Sequence, residues 1–178
     1  MLNRRGGEGD VIKVLDFGLV KARDGEHATD PEDQSLAGTP LYMSPEAIGL
    51  PGSVDACSDL YALGAVGYFL LTGHPVFEAD DLAELCRLHT SETPKPPSVR
   101  LGSPVPAELE NAILACLEKM RSKRPQTARE LANRLRRCPA AAEWTVDEAD
   151  IWWGRHERGQ ATPKASTDNQ YDATIAHQ

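Results

Sequence analysis

The spacing of apolar residues changes several times along the chain, and each change marks an element. Val11, Ile12, Val14 and Leu15 form a β-branched run that predicts a short strand. Before it, "RRGGEGD" reads as a hairpin turn between two strands, with Met1-Leu2 as the tail of the first. From Leu19 to about Gln34 the residues turn polar, which predicts a mobile loop. In "SLAGTPLYMSPEAIG" turn residues alternate with apolar anchors, and Pro45-Glu46 opens a short helix. The run "LYALGAVGYFLL", Leu60 to Leu71, is apolar almost all round. It predicts a central, buried helix, capped by Ser58 or Asp59 and ended by Gly73. A bilayer needs about 20 such residues, so this helix is too short to span one.

Asp80 or Asp81 caps a following helix to about His89, with Leu82, Leu85 and Leu88 at helical spacing. Thr93 to Pro106 is proline-rich and is expected to hold no regular helix. Over 107–120, Leu109, Ile113, Cys116, Leu117 and Met120 share one stripe of an amphipathic helix. Thr127 and Glu130 fit a capping box for the last core helix, whose Leu131 and Leu135 face inward. Beyond Pro139 comes a segment with all three tryptophans, Trp144, Trp152 and Trp153, where Thr145 and Glu148 can cap another helix. From Gln160 the residues are small and polar, which predicts disorder.

Composition narrows the functional classes. The 178 residues suffice for one core, and the net charge of −8 gives no basic footprint for nucleic acid. The N-terminus has no apolar signal segment. The four cysteines are scattered without a CxxC pair, and so are the five histidines, which argues against a zinc site and for buried cytosolic thiols.

Four motifs carry chemistry. "LDFGLV" puts Asp16, Phe17 and Gly18 at the end of the predicted strand, where a carboxylate can offer magnesium a hard oxygen ligand. Three residues recur by chance, and alone Asp16 reads more readily as the cap of a tight turn. "GTPLYMSPE" follows, Gly38 to Glu46; then "SDLYALGAVGYFLLTGHPVF"; then Arg124-Pro125 ahead of a capped helix. In this order they resemble the end of the activation segment, the central helix and the late arginine of bacterial-type serine/threonine protein kinases. Ser44 stands for the commoner alanine of Ala-Pro-Glu, and Tyr61 for a tryptophan.

The resemblance covers about residues 11 to 137. It implies a protein-kinase-like α+β fold of which this chain holds the mainly helical C-terminal lobe, with a short strand pair at its start. It divides the chain into a partial kinase domain over 1–138, a Trp-rich helical extension over 139–158 and a disordered tail over 159–178. The implied activity is transfer of the ATP γ-phosphate to protein serine or threonine, with Mg2+ held at Asp16. Thr29 and Ser35 are the candidate phosphorylation sites of the activation segment; the plain reading is loop polarity. Gly38, Thr39, Pro40 and Leu41 would line the substrate pocket. Glu46 is expected to pair with Arg124 and staple the segment to the helices. Asp59 is expected to tie the central helix to the catalytic loop.

In family order the Gly-rich loop, the strand lysine and the catalytic-loop aspartate and asparagine all precede Asp-Phe-Gly. None lies in this sequence, so the expectation is a fragment, inactive by itself and with no nucleotide bound by it alone. Its expected partners are a protein substrate or regulatory protein and a missing N-terminal half. No nucleic acid and no membrane span are expected, and the location is cytoplasmic. The second reading is a non-catalytic, pseudokinase-like lobe that binds a partner. The intact metal motif favours the first reading. For the tryptophans, folding back over the lobe's own apolar surface is preferred to a partner-binding role.

Overall fold

The computed structural model describes residues 2–5, 8–12 and 40–159. The chain divides into two compact units, Asp16–Glu143 and a second one formed by Met1–Leu15 with Trp144–Gln178.

The described part of the larger unit is helical. Ser44 is extended and accepts the Ala47 N–H at 3.3 Å, and Pro45 fills the first helical position of α1, Pro45–Gly49. Helix α2 runs Ala56–Thr72 and starts earlier than Ser58 or Asp59 would allow as caps. The cap is Asp55, in the extended conformation, whose carboxylate takes the Cys57 N–H at 2.8 Å. Ser58, three positions on, returns the bond by accepting the Asp55 N–H at 3.2 Å. Gly73 ends α2 in the left-handed region, φ 72°, which a side chain would strain.

Helix α3, Leu82–Ser91, is capped by Asp81 through the Glu84 N–H at 2.8 Å. The proline-rich stretch does hold a helix, α4, Pro97–Leu101. Pro96 and Pro97 occupy its N-cap and first position, where a missing N–H leaves no bond unmade. Helix α5, Ala107–Cys116, is shorter than its apolar stripe. It stops because the Glu118 and Lys119 carbonyls turn to the Arg124 guanidinium, so Met120 is left 59% exposed. Helix α6, Ala128–Arg136, is capped by Thr127 through the Glu130 N–H. The Glu130 carboxylate bonds the Gln126 N–H rather than that of Thr127, so the box is half formed. Leu131 is buried, but Leu135 lies at the exposed edge of this nine-residue helix.

The core is built on one side of α2. Tyr61, Ala65 and Tyr68 pack with Val76, Phe77, Leu85, Ile113 and Leu117. A second cluster joins Leu60 to Ala112, Cys116 and Leu131. Each fully buried large apolar side chain contributes roughly 1.5–3 kcal/mol. A Cβ on Gly64 would meet the Cys116 Cβ at 2.4 Å, so the α2–α5 crossing needs glycine there. The expectation that α2 is buried all round fails on its other side. Leu63, Val66 and Leu70 are exposed, Leu70 to 77%, at the i, i+3, i+7 spacing of one stripe.

In the smaller unit, β1 (Leu2–Arg5) and β2 (Glu8–Ile12) pair antiparallel, and α7 spans Val146–Gly159. The predicted strand thus begins at Glu8; its residues after Ile12 lie outside the described ones. Thr145 caps α7 through the Glu148 N–H at 3.2 Å. Trp144 and Trp153 donate to Asp10 of β2 within this unit.

Candidate functional site

The chemistry gathers where residues 40–46 meet the helices. Pro40–Tyr42 form a 3-10 turn, and Leu41 and Tyr42 pack against the core that holds Tyr61 and Phe77. Four residues on, α1 presents Glu46 to Arg124, 78 positions away in sequence. The pair is bidentate: Nη1 to Oε1 at 2.7 Å and Nη2 to Oε2 at 2.8 Å. The remaining guanidinium donors go to the carbonyls of Glu118 (2.7 Å), Cys57 (2.9 Å) and Lys119 (3.1 Å). The Ser58 hydroxyl adds a bond to Glu46 Oε1 at 2.6 Å.

Both side chains are sunk, Arg124 to 0% and Glu46 to 8% exposure. Desolvation makes such a pair costly, and full hydrogen bonding is what offsets it. Burial by itself would raise the Glu46 carboxyl, but the Arg124 and Ser58 hydrogen bonds outweigh it and hold it at about 2. The Arg124 guanidinium also lies over the Tyr61 ring, 4.9 Å from its centroid.

Tyr61 extends the polar layer inward. Its hydroxyl meets His89 Nδ1 at 2.9 Å. Burial pushes the Tyr61 hydroxyl up, so the phenol keeps its proton. His89 is fully buried, edge-on to Phe77 with ring centroids 5.1 Å apart. Its Nε2 has no hydrogen-bond partner among the described residues. Burial and the Lys119 ammonium push His89 down to about 4, against a weak upward pull from the Leu41 backbone. Lys119 donates to the carbonyls of Leu88 (3.3 Å) and His89 (2.9 Å) and sits 4.5 Å from the Phe77 centroid. Burial, with Arg124 nearby, lowers it to about 8.

The structure therefore brings Glu46, Arg124, Pro40 and Leu41 to one place. Asp59 is exposed on α2, and no described residue hydrogen-bonds its carboxylate. Asp16, Phe17, Gly18, Thr29, Ser35, Gly38 and Thr39 lie outside the described residues. Among the described residues no three His, Cys, Asp or Glu side chains are grouped to hold a metal ion. Sequence reasoning did not single out Tyr61 and Lys119 as a buried layer with His89. A signal was present for His89, four positions after Leu85 on the apolar face of α3.

A helical lobe with a buried Arg–Glu staple between an early segment and a late loop defines a class, and comparison with known proteins gives it a family. Residues 1–135 match the protein kinase domain family, and the chain belongs to it. It is 38% identical over 136 residues to a Corynebacterium efficiens protein named as a probable serine/threonine-protein kinase, covering 74% of this chain and 20% of that protein. It is 42% identical over 118 residues to the serine/threonine-protein kinase Pkn1 of Myxococcus xanthus, covering 66% and 17% respectively. With the serine/threonine-protein kinase PknB of Mycobacterium tuberculosis it shares 38% over 122 residues, covering 68% and 19%. The chain thus spans about a fifth of the length of the curated relatives it matches. No described helix is long and apolar enough to cross a membrane.

Proposed function

We propose that this chain is the large-lobe part of a cytoplasmic serine/threonine protein kinase, whose whole product moves the ATP γ-phosphate to protein serine or threonine. The observation that carries the reading is the buried Glu46–Arg124 pair. It anchors Pro40–Tyr42 rigidly on the helical core, as a segment that must present a peptide requires. In this reading Gly38 to Leu41 contact the substrate, Asp16 ligates Mg2+, and phosphate on Thr29 or Ser35 would order the loop before them.

A second observation bears on partners. The exposed stripe Leu63, Val66 and Leu70 borders an apolar groove lined by Gly67, Leu109, Ile113 and Leu135. Such a face calls for cover. The reading assigns that cover to the upstream half of a kinase domain, which also supplies the catalytic base and the nucleotide lysine.

The test is a γ-phosphate transfer assay on the purified chain, alone and fused behind the upstream half-domain of a relative such as PknB. The chain alone should be inactive. The fusion should be active and lose transfer on Asp16→Ala. Activity of the chain alone that disappears with Asp16→Ala would refute the dependence on an upstream half. A folded but inactive fusion would favour a non-catalytic, partner-binding lobe.

A further inference from the structure

The β1–β2 hairpin contains a built irregularity. Leu2 pairs with Ile12, Asn3 with Val11 and Arg5 with Glu8, so Arg4 alone faces both Gly9 and Asp10. That extra residue is a β-bulge, a device that re-aims a side chain. Asp10 carries the bend: its φ is 61°, in the left-handed region that aspartate tolerates better than most residues. The half-buried carboxylate then receives two indoles of the C-terminal segment. Trp144 Nε1 donates to Oδ2 at 2.5 Å, and Trp153 Nε1 donates to Oδ1 at 2.9 Å. One donor lies just before α7 and the other at its eighth residue, so the two bonds fix the helix's direction as well as its position. Trp152 supports Trp153 edge-on, with centroids 5.1 Å apart, and stacks on His156 at 3.7 Å.

We propose that Asp10 is a latch: its bulge-aimed carboxylate holds Trp144 and Trp153 so that α7 and strand β2 open and close as one piece. Strand β2 stands directly before the segment that leads to Asp16 in sequence. A ligand or modification that displaces α7 therefore loosens β2, and by thermodynamic reciprocity whatever holds β2 tightens α7. Charge-assisted bonds to both oxygens make the coupling strong for its size.

The experiment is amide hydrogen exchange on the full 178-residue chain, following residues 2–12, 146–156 and, as an internal control, 56–72. Trp153→Phe removes a donor and keeps a ring. It should speed exchange about tenfold in both the hairpin and α7 and leave α2 unchanged. Asp10→Asn keeps the bend and one acceptor oxygen, and should give a smaller rise in both. Asp10→Gly suits the left-handed bend and deletes the carboxylate, and should match Trp153→Phe. Unchanged protection with Asp10→Gly would mean that the bend and not the carboxylate holds the helix, and would overturn the latch. So would a rise confined to one of the two segments, or no protection of either in the unmodified chain.

Discussion

Glu46–Arg124 and Glu84–Arg87 are the same chemical pair in opposite settings. Both are bidentate, with distances of 2.7 and 2.8 Å in each. Glu84–Arg87 lies within one exposed turn of α3, its side chains 43% and 54% exposed. It holds nothing that the helix does not already hold. Glu46–Arg124 joins α1 to the loop between α5 and α6, and its arginine ties three further carbonyls into the same node. What separates them is the cost of losing one partner. Water accepts an orphaned Arg87 at once, whereas an orphaned Arg124 is a buried charge.

The sharpest way to break this contrast is Arg124→Ala. It should cost about 3–5 kcal/mol, because it leaves Glu46 unpaired and frees the carbonyls that end α5. Urea or thermal melts of the full chain would measure it. Arg124→Lys should fall well short of rescue, since an ammonium cannot make the forked contact.

Acid should act next, in two windows. His89 has a folded value near 4 against an ordinary 6.5, so between those values the unfolded chain binds the proton that the folded one refuses. Stability is therefore fully present above pH 6.5 and is lost as the pH falls toward 4. Glu46 continues the loss from its ordinary 4.5 down to about 2, because the folded pair resists protonation. His89→Gln should flatten the first window and leave the second. A melting series across pH that stayed steep between 6 and about 4.5 in that variant would assign the slope to another group.

Tyr61→Phe should have a smaller effect, about 1–2 kcal/mol, by leaving His89 Nδ1 without its hydrogen-bond partner. At the bottom of the order stands Glu84→Ala, which should leave the melting midpoint where it was. A marked fall there would erase the difference between the two pairs.

Much of the helical order was legible because caps and apolar spacing are local. Asp81, Thr127, Gly73 and Pro45 act within a few residues of where they stand in sequence. The errors came where a distant partner decides. Helix α5 ends early because Arg124 takes the carbonyls beyond it. Helix α2 begins early because Asp55 and Ser58 cap each other, with Ser58 also bonded to Glu46. Apolar content alone could not say that one side of α2 faces the core while Leu63, Val66 and Leu70 do not. Glu46 and Arg124 were singled out by their motifs. Lys119 sits among ordinary helix residues, and only the fold reveals it as a buried donor. Asp10 had no sequence signal beyond an aspartate near glycines.

The tight crossing at Gly64 also makes a clock. It presses α2 against Cys116, whose thiol is buried at 1% exposure and pushed up to about 11 by that burial. Cys57 and Cys86 are only half-buried. An alkylating reagent should consume those two quickly and then wait on the buried Cys116 and Cys138, the former reached only when α2 and α5 part. The second phase of labelling would time how often the core breathes, in a chain carrying no added probe.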